Sequence, residues 1–183
     1  MNITRPSRIA RSRQALPLFL FATCWSALAS ASVGERLSAA GITLPEVAPP
    51  VANYVSAVRS GNLVFLAGAI PRAEDGSVIE GQVGRELTVE EGYAAARNTG
   101  IHLIAALRAE IGDLEKVRRW VKVEGYVNAP ADFSQHPAVI NGCSDLLVEI
   151  FGDRGRHARV ALGAASLPLN ACVEIAAIVE VAD

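Results

Sequence analysis

Cysteine is almost missing from this chain. Cys24, Cys143 and Cys172 are the three present in 183 residues, and no Cys-x-x-Cys pair occurs. That excludes a disulfide framework, which needs several cysteines at close spacing. Histidine is as scarce: His102, His136 and His157 lie far apart with no His-x-x-x-His arrangement, so no common zinc-ligand pattern is written here and no metal is expected. No Gly-x-Ser-x-Gly elbow and no glycine-rich phosphate loop occurs either, which argues against an α/β-hydrolase nucleophile and a nucleotide cradle.

Acid is missing from one region altogether. The first 31 residues carry Arg5, Arg8, Arg11 and Arg13 but no Asp or Glu, then the apolar run from Ala15 to Ala29 and the small-residue pattern Ala29-Ser30-Ala31. A basic start, a short apolar stretch and a small-residue site predict a secretory signal peptide over 1–31, cleaved after Ala31. The implied location is periplasmic or secreted, with no stable membrane association after cleavage. Two other readings of the segment are a start codon placed too early, with Val33 as alternative initiator and a cytoplasmic protein, and an uncleaved anchor. Removing 1–31 changes the formal charge from 17 − 19 = −2 to 13 − 19 = −6. An acidic domain lacks the basic stripe of a nucleic-acid binder, so no nucleic-acid partner is expected.

What remains is enough for one core, with about half of the residues apolar. Val33 to Ala40 predicts a short helix, and Leu44-Pro45-Glu46-Val47-Ala48-Pro49-Pro50 a stiff extended lead-in, so that 32–50 precede a domain over 51–183. Tyr54 to Arg59 and Leu63 to Ala67 flank the turn Ser60-Gly61-Asn62 as a β-hairpin. Glu74-Asp75-Gly76-Ser77 marks another turn. Thr88 with Glu91 forms a capping box that opens a helix ending at Gly112, its apolar positions Ala94, Ile101, Ile104, Ala105 and either Leu107 or Ile111.

Val117 to Val127 predicts a strand with Trp120, Lys122, Glu124 and Tyr126 on one face. A second helix follows, with Pro137 in its first turn, Gly152 at its end, and Val139, Leu146, Leu147 and Ile150 turned to the core. Strands at Ala158 to Ala164 and Ala171 to Val181 close the chain as a second hairpin. The layout is α+β, a mixed sheet with two helices packed on one face. In the last strand the outward set Cys172, Glu174, Ala176, Ile178 and Glu180 is only half polar, and another subunit is its simplest cover. Cys143 and Cys172 sit in apolar surroundings, as buried free thiols would; pairing of the two after export is the alternative.

The richest stretch is the end. Arg159 lies eight residues before Leu167 and fifteen before Glu174, so a hairpin turning at Leu167-Pro168 would bring both side chains to one end of a cleft. An arginine fork binds a carboxylate and a glutamate can polarise a water, which suits a small carboxylate-bearing substrate. An exposed strand arginine and a solvated glutamate are the plainer alternatives.

Ala158-Arg159, Leu167-Pro168 and Val173-Glu174-Ile175, with Asn53-Tyr54-Val55, the run Gly61 to Pro71 and the helix from Thr88 to Gly112, resemble the Rid family of imine deaminases, also labelled YjgF or endoribonuclease L-PSP. The resemblance covers about residue 45 to Asp183. It implies a chorismate-mutase-like single domain, a homotrimer whose sheets form a central barrel, ligand clefts between subunits, and no cofactor. It implies hydrolysis of enamine or imine intermediates of 2-amino acids to 2-oxo acids and ammonia. Arg159 then binds the substrate carboxylate, Glu174 positions the attacking water, and Tyr54, Gly68 and Asn141 line the cleft. The chain departs from the archetype at Ala67, where a serine is usual, and at Ala161, where a cysteine is usual. Arg156-His157 and Asn141-Gly142-Cys143-Ser144-Asp145 supply a different polar set, as in a divergent subgroup. A trimer that binds a small metabolite without catalysis is the alternative function, and a ribonuclease or translation inhibitor the third.

Overall fold

A computed structural model describes residues 31–47 and 53–183. The expected signal segment, Ala31 apart, and residues 48–52 of the lead-in lie outside the described residues. Ser32–Asp183 form one unit.

Helix α1 (Val33–Ala39) is opened by a Ser32/Glu35 capping box and lays Val33 and Leu37 into the core. Strands β1 (Ala57–Ser60) and β2 (Leu63–Ala69) form the expected hairpin, closed by two residues of which Gly61 has φ +61°. The first strand begins three residues later than expected, leaving Tyr54 ahead of it.

Helix α2 (Val89–Ile111) has the predicted Thr88/Glu91 box and stops at Gly112, φ +77°. Its buried face is turned relative to the reading: Ala95, Ala96, Thr99 and Leu103 are buried, Ile101 is half-buried and Ala94 is exposed. The cause is the second helix, α3 (His136–Phe151), which crosses at backbone contact. A Cβ on Gly142 would lie 2.0 Å from the Tyr93 carbonyl oxygen, and one on Gly100 would lie 2.9 Å from Leu146. α2 therefore buries an arc shared between sheet and helix. Pro137 and Gly152 sit at the ends of α3 as expected, and Val139, Leu146, Leu147 and Ile150 are buried.

Strands β3 (Val117–Asn128), β4 (Ala158–Ala164) and β5 (Val173–Val181) complete a mixed sheet of order β1-β2-β5-β3-β4. β5 is antiparallel to both β2 and β3, whereas β4 runs parallel to β3 at the edge. The expected C-terminal hairpin is therefore not formed: β3 separates β4 from β5. A strand apolar on one face and half-apolar on the other suits the middle of a sheet, and β5 occupies it. The connection turns through Leu169 and Asn170, both with left-handed φ, and Asn128 Nδ2 donates to Asn170 Oδ1 at 3.1 Å.

Register shifts near both Val117 and Trp120 also break the expected alternation of β3. Trp120 is buried against Phe151, while Lys122, Glu124 and Tyr126 occupy the opposite face. Both long helices cover one face, and Gly125 admits Ile140 of α3 to the sheet, where a Cβ would lie 2.7 Å away. The other face is open. There Val58, Phe65 and Ile178 lie in register, beside Ala176, Val160 and Leu162, with Phe65 43% and Leu162 52% exposed. This is the half-apolar face the sequence pattern anticipated.

Candidate functional site

Arg159 lies on β4 opposite Val123, a buried residue under the helices. Its side chain therefore turns to the helical face, where Nη1 donates to Asn141 Oδ1 at 2.8 Å and to Ser144 Oγ at 3.0 Å. Two expected site residues, Arg159 and Asn141, are thus joined across the sheet–helix seam. Ser144 Oγ is also 3.1 Å from His157 Nε2, and His157 Nδ1 is 2.7 Å from the Gly155 carbonyl. Burial pushes the His157 pKa below its ordinary value; Gly155 opposes this and the nearby Arg159 charge adds to it.

In the sequence Ser144 and His157 stand out only as members of a different polar set. Spacing held a stronger signal. Asn141 and Ser144 are i, i+3 on a helix, and His157 and Arg159 are i, i+2 on a chain leading into a strand, so each pair shares a face.

Glu174 lies on β5 opposite Tyr126, on the open face. Burial raises its pKa. Gly68 lies beside it at the irregularity between Leu66 and Ala69: a Cβ there would fall 2.2 Å from Glu174 Oε1. These two expected residues are also joined, and glycine is what lets the carboxylate lie over the β2 backbone.

The two pairs do not meet within one chain. Arg159 and Glu174 face opposite sides of the sheet with β3 between their strands, and their backbones are roughly 14 Å apart, from two strand spacings and three residues of rise. The expected approach around Leu167-Pro168 fails because the strands are not a hairpin. Tyr54, 54% exposed, stands before β1, at the far edge from β4.

Other groups separate from this chemistry. Cys143 and Cys172 are free and buried, their thiols pushed up to about 12 and about 11 by burial. Among the described residues no group of three His, Cys, Asp or Glu is placed to hold a metal. A cavity of about 410 Å³ lined by Gln82, Arg85, Phe133, His136 and Gly163 lies at the far end of β4 and includes none of the expected site residues. The Arg159 cluster is distinguished from it by specific short hydrogen bonds, and Glu174 by a half-buried carboxylate lying over the Gly68 backbone.

A protein-family profile described as "YjgF/chorismate mutase-like, putative endoribonuclease" matches residues 34–181. Protein TCP17 of Trypanosoma cruzi is 44% identical over 156 residues, 85% of this chain and 98% of the other. The crystal structure of Atu1372 from Agrobacterium tumefaciens has 39% identity and a TM-score of 0.76, covering 87% of this chain and 99% of its own. That of "a putative endoribonuclease" from Shewanella oneidensis MR-1 has 36% identity and a TM-score of 0.79, covering 82% and 100%.

Proposed function

The chain belongs to the YjgF/chorismate mutase-like family, and from that premise we propose that it hydrolyses enamine and imine intermediates of 2-amino acids to 2-oxo acids and ammonia. The observation that carries this reading is the Arg159 guanidinium. Both hydrogens of Nη1 are committed to Asn141 and Ser144, while Nε and Nη2 have no hydrogen bond among the described residues. That free edge is a side-on fork of the shape a carboxylate fills.

With 2-aminoacrylate, tautomerisation gives 2-iminopropanoate, whose carboxylate docks on Arg159. Water adds through oxygen to the imine carbon, the C=N pair moves to nitrogen, and a proton passes from water to that nitrogen. In the collapse of the carbinolamine the hydroxyl proton passes to nitrogen, the oxygen pair forms the C=O bond and the C–N bond breaks, releasing ammonia and pyruvate. Glu174 holds the water and relays the proton, a task suited to a carboxyl whose pKa burial has raised above its ordinary value. Orientation and modest polarisation suffice for an imine, so no cofactor is invoked.

In this reading three copies cover the open sheet face, bringing Arg159 of one chain near Glu174 and Gly68 of another. The arginine-rich, acid-free leader supports export before assembly. The test is ammonia release by the purified full chain from freshly generated 2-aminoacrylate, beside Arg159→Ala. The expected result is acceleration by the wild type that drops at least about tenfold in the variant, as loss of a charge-assisted bond predicts. No acceleration by the wild type would shift the assignment to a carboxylate-binding trimer, the reading that Ala67 and Ala161 favour because they remove two polar groups.

A further inference from the structure

With His157 neutral, Arg159 is held by a chain of hydrogen bonds with one direction at every link. Ser144 Oγ accepts from Arg159 Nη1 at 3.0 Å, so its single proton is free to point to His157 Nε2 at 3.1 Å. That link requires Nε2 without a proton. At the other nitrogen, Nδ1 stands 2.7 Å from the Gly155 carbonyl, which only accepts, so Nδ1 carries the proton. Both constraints select the same neutral tautomer. The run is Arg159 to Ser144 to His157 to the Gly155 carbonyl, each group donating to the next, and such chains polarise one another.

The far end is anchored by packing. Gly155 lies so close to α3 that a Cβ would fall 2.1 Å from the Leu147 carbonyl oxygen. No side chain fits there, and the carbonyl that receives the His157 proton is fixed by the end of the helix. An arginine loses several rotatable bonds' worth of freedom when it binds; this chain removes that freedom in advance and leaves the Nε and Nη2 edge presented.

We propose that Ser144 and His157 are positioning residues that set the orientation of the Arg159 fork, and so determine selectivity for a planar carboxylate. The inference rests on Arg159 being the carboxylate clamp. The device is also acid-sensitive. A protonated His157 donates from both nitrogens, so the Ser144 proton loses its acceptor and a second cation stands beside Arg159. The charge that acts on the ring is that of Arg159, two residues along the chain; the buried Cys143 thiol sits next to Ser144 on α3, and the Asp153–Arg156 ion pair at 3.1 Å lies in the preceding turn. The Asp145 carboxylate is taken by Tyr93 at 3.0 Å.

The experiment is calorimetric titration of the full chain with 2-oxobutanoate and with its amide, alongside steady-state kinetics on 2-aminoacrylate. The variants are Ser144→Ala, His157→Phe, His157→Gln and Arg159→Ala. Ser144→Ala, which removes a bond to the charged guanidinium, and His157→Phe, which removes the acceptor that orients Ser144, should weaken 2-oxobutanoate binding and raise KM, the first about tenfold and the second about threefold to tenfold, with kcat nearly unchanged. Preference for the acid over the amide should fall with it. His157→Gln, whose amide oxygen can accept from Ser144, should restore most of the affinity. It should also remove the loss of binding that the wild type shows on acidification.

Ser144→Ala and His157→Phe at wild-type affinity, while Arg159→Ala loses binding, would overturn the positioning role and leave the clamp standing. Arg159→Ala at wild-type affinity would overturn the clamp itself. Equal loss in His157→Gln and His157→Phe would show that the ring's bulk, not its hydrogen bond, is what matters, and would also overturn the proposal.

Discussion

Glu174 is ionisable, half-buried and without a cationic partner among the described residues, an arrangement that favours function over stability. Burial raises its pKa above the ordinary 4.5. The native state therefore holds a proton that the unfolded chain releases between the two values, and stability falls as pH rises through that window. Above it, the charged carboxylate is a standing cost. Glu174→Gln keeps the shape and removes the charge, so at neutral pH the variant should melt higher than the wild type, with the difference vanishing in acid, while imine hydrolysis is lost. Thermal melts across the acid-to-neutral range check this; a variant less stable at neutral pH would mean that the carboxylate is held by a favourable partner. Gly68 belongs to the same account, because the space for that carboxylate exists only where β2 lacks a side chain.

At the scale of elements, glycines decide how closely the pieces approach. Gly142 and Gly34 are both helical, yet the same substitution should act in opposite directions. A methyl on Gly142 would meet the Tyr93 carbonyl oxygen at 2.0 Å and force α2 and α3 apart, costing about 1–3 kcal/mol or more as overpacking does. A methyl on Gly34 meets nothing within 4 Å, so part of the intrinsic gain of Ala over Gly, at most about 0.5–1 kcal/mol at this second position of α1, should appear. Denaturant titration of the two variants checks the sign as well as the size. The helices were legible because their ends are chemical signals: Thr88 with Glu91, Pro137, Gly112 and Gly152 each mark a boundary by backbone hydrogen bonding. Strand partners carry no such mark. Alternation in Val173–Val181 reveals two faces but not which strands lie alongside, so nothing in the spacing of Arg159 and Glu174 disclosed that β3 runs between them. The irregularities near Trp120 hide the β3 register for the same reason. Asn141 and Arg159 are recoverable through family resemblance, whereas spacing puts Ser144 beside Asn141 and His157 beside Arg159 but does not show that the two pairs meet until α3 is laid across β4.

For the whole molecule, the division of the site becomes a constraint on assembly. One chain presents Arg159 and Asn141 on the helical side of an edge strand, and Gly68 and Glu174 on the open face, with β3 between Arg159 and Glu174. A catalytic centre that uses both must draw them from different copies. The open face, with Val58, Phe65, Ile178 and Leu162 unpartnered, is the surface on which a second copy would bury apolar area. This leads to a complementation test. Chains carrying Arg159→Ala and chains carrying Glu174→Ala should each be inactive when purified alone. Co-expressed one to one, a cyclic assembly places an intact arginine against an intact glutamate at about one quarter of its interfaces, the product of two independent halves. About a quarter of wild-type activity should return, and it should disappear when the subunits are separated by dilution. If both residues served a site within the same chain, every chain in the mixture would lack one of them and no activity would return at any ratio.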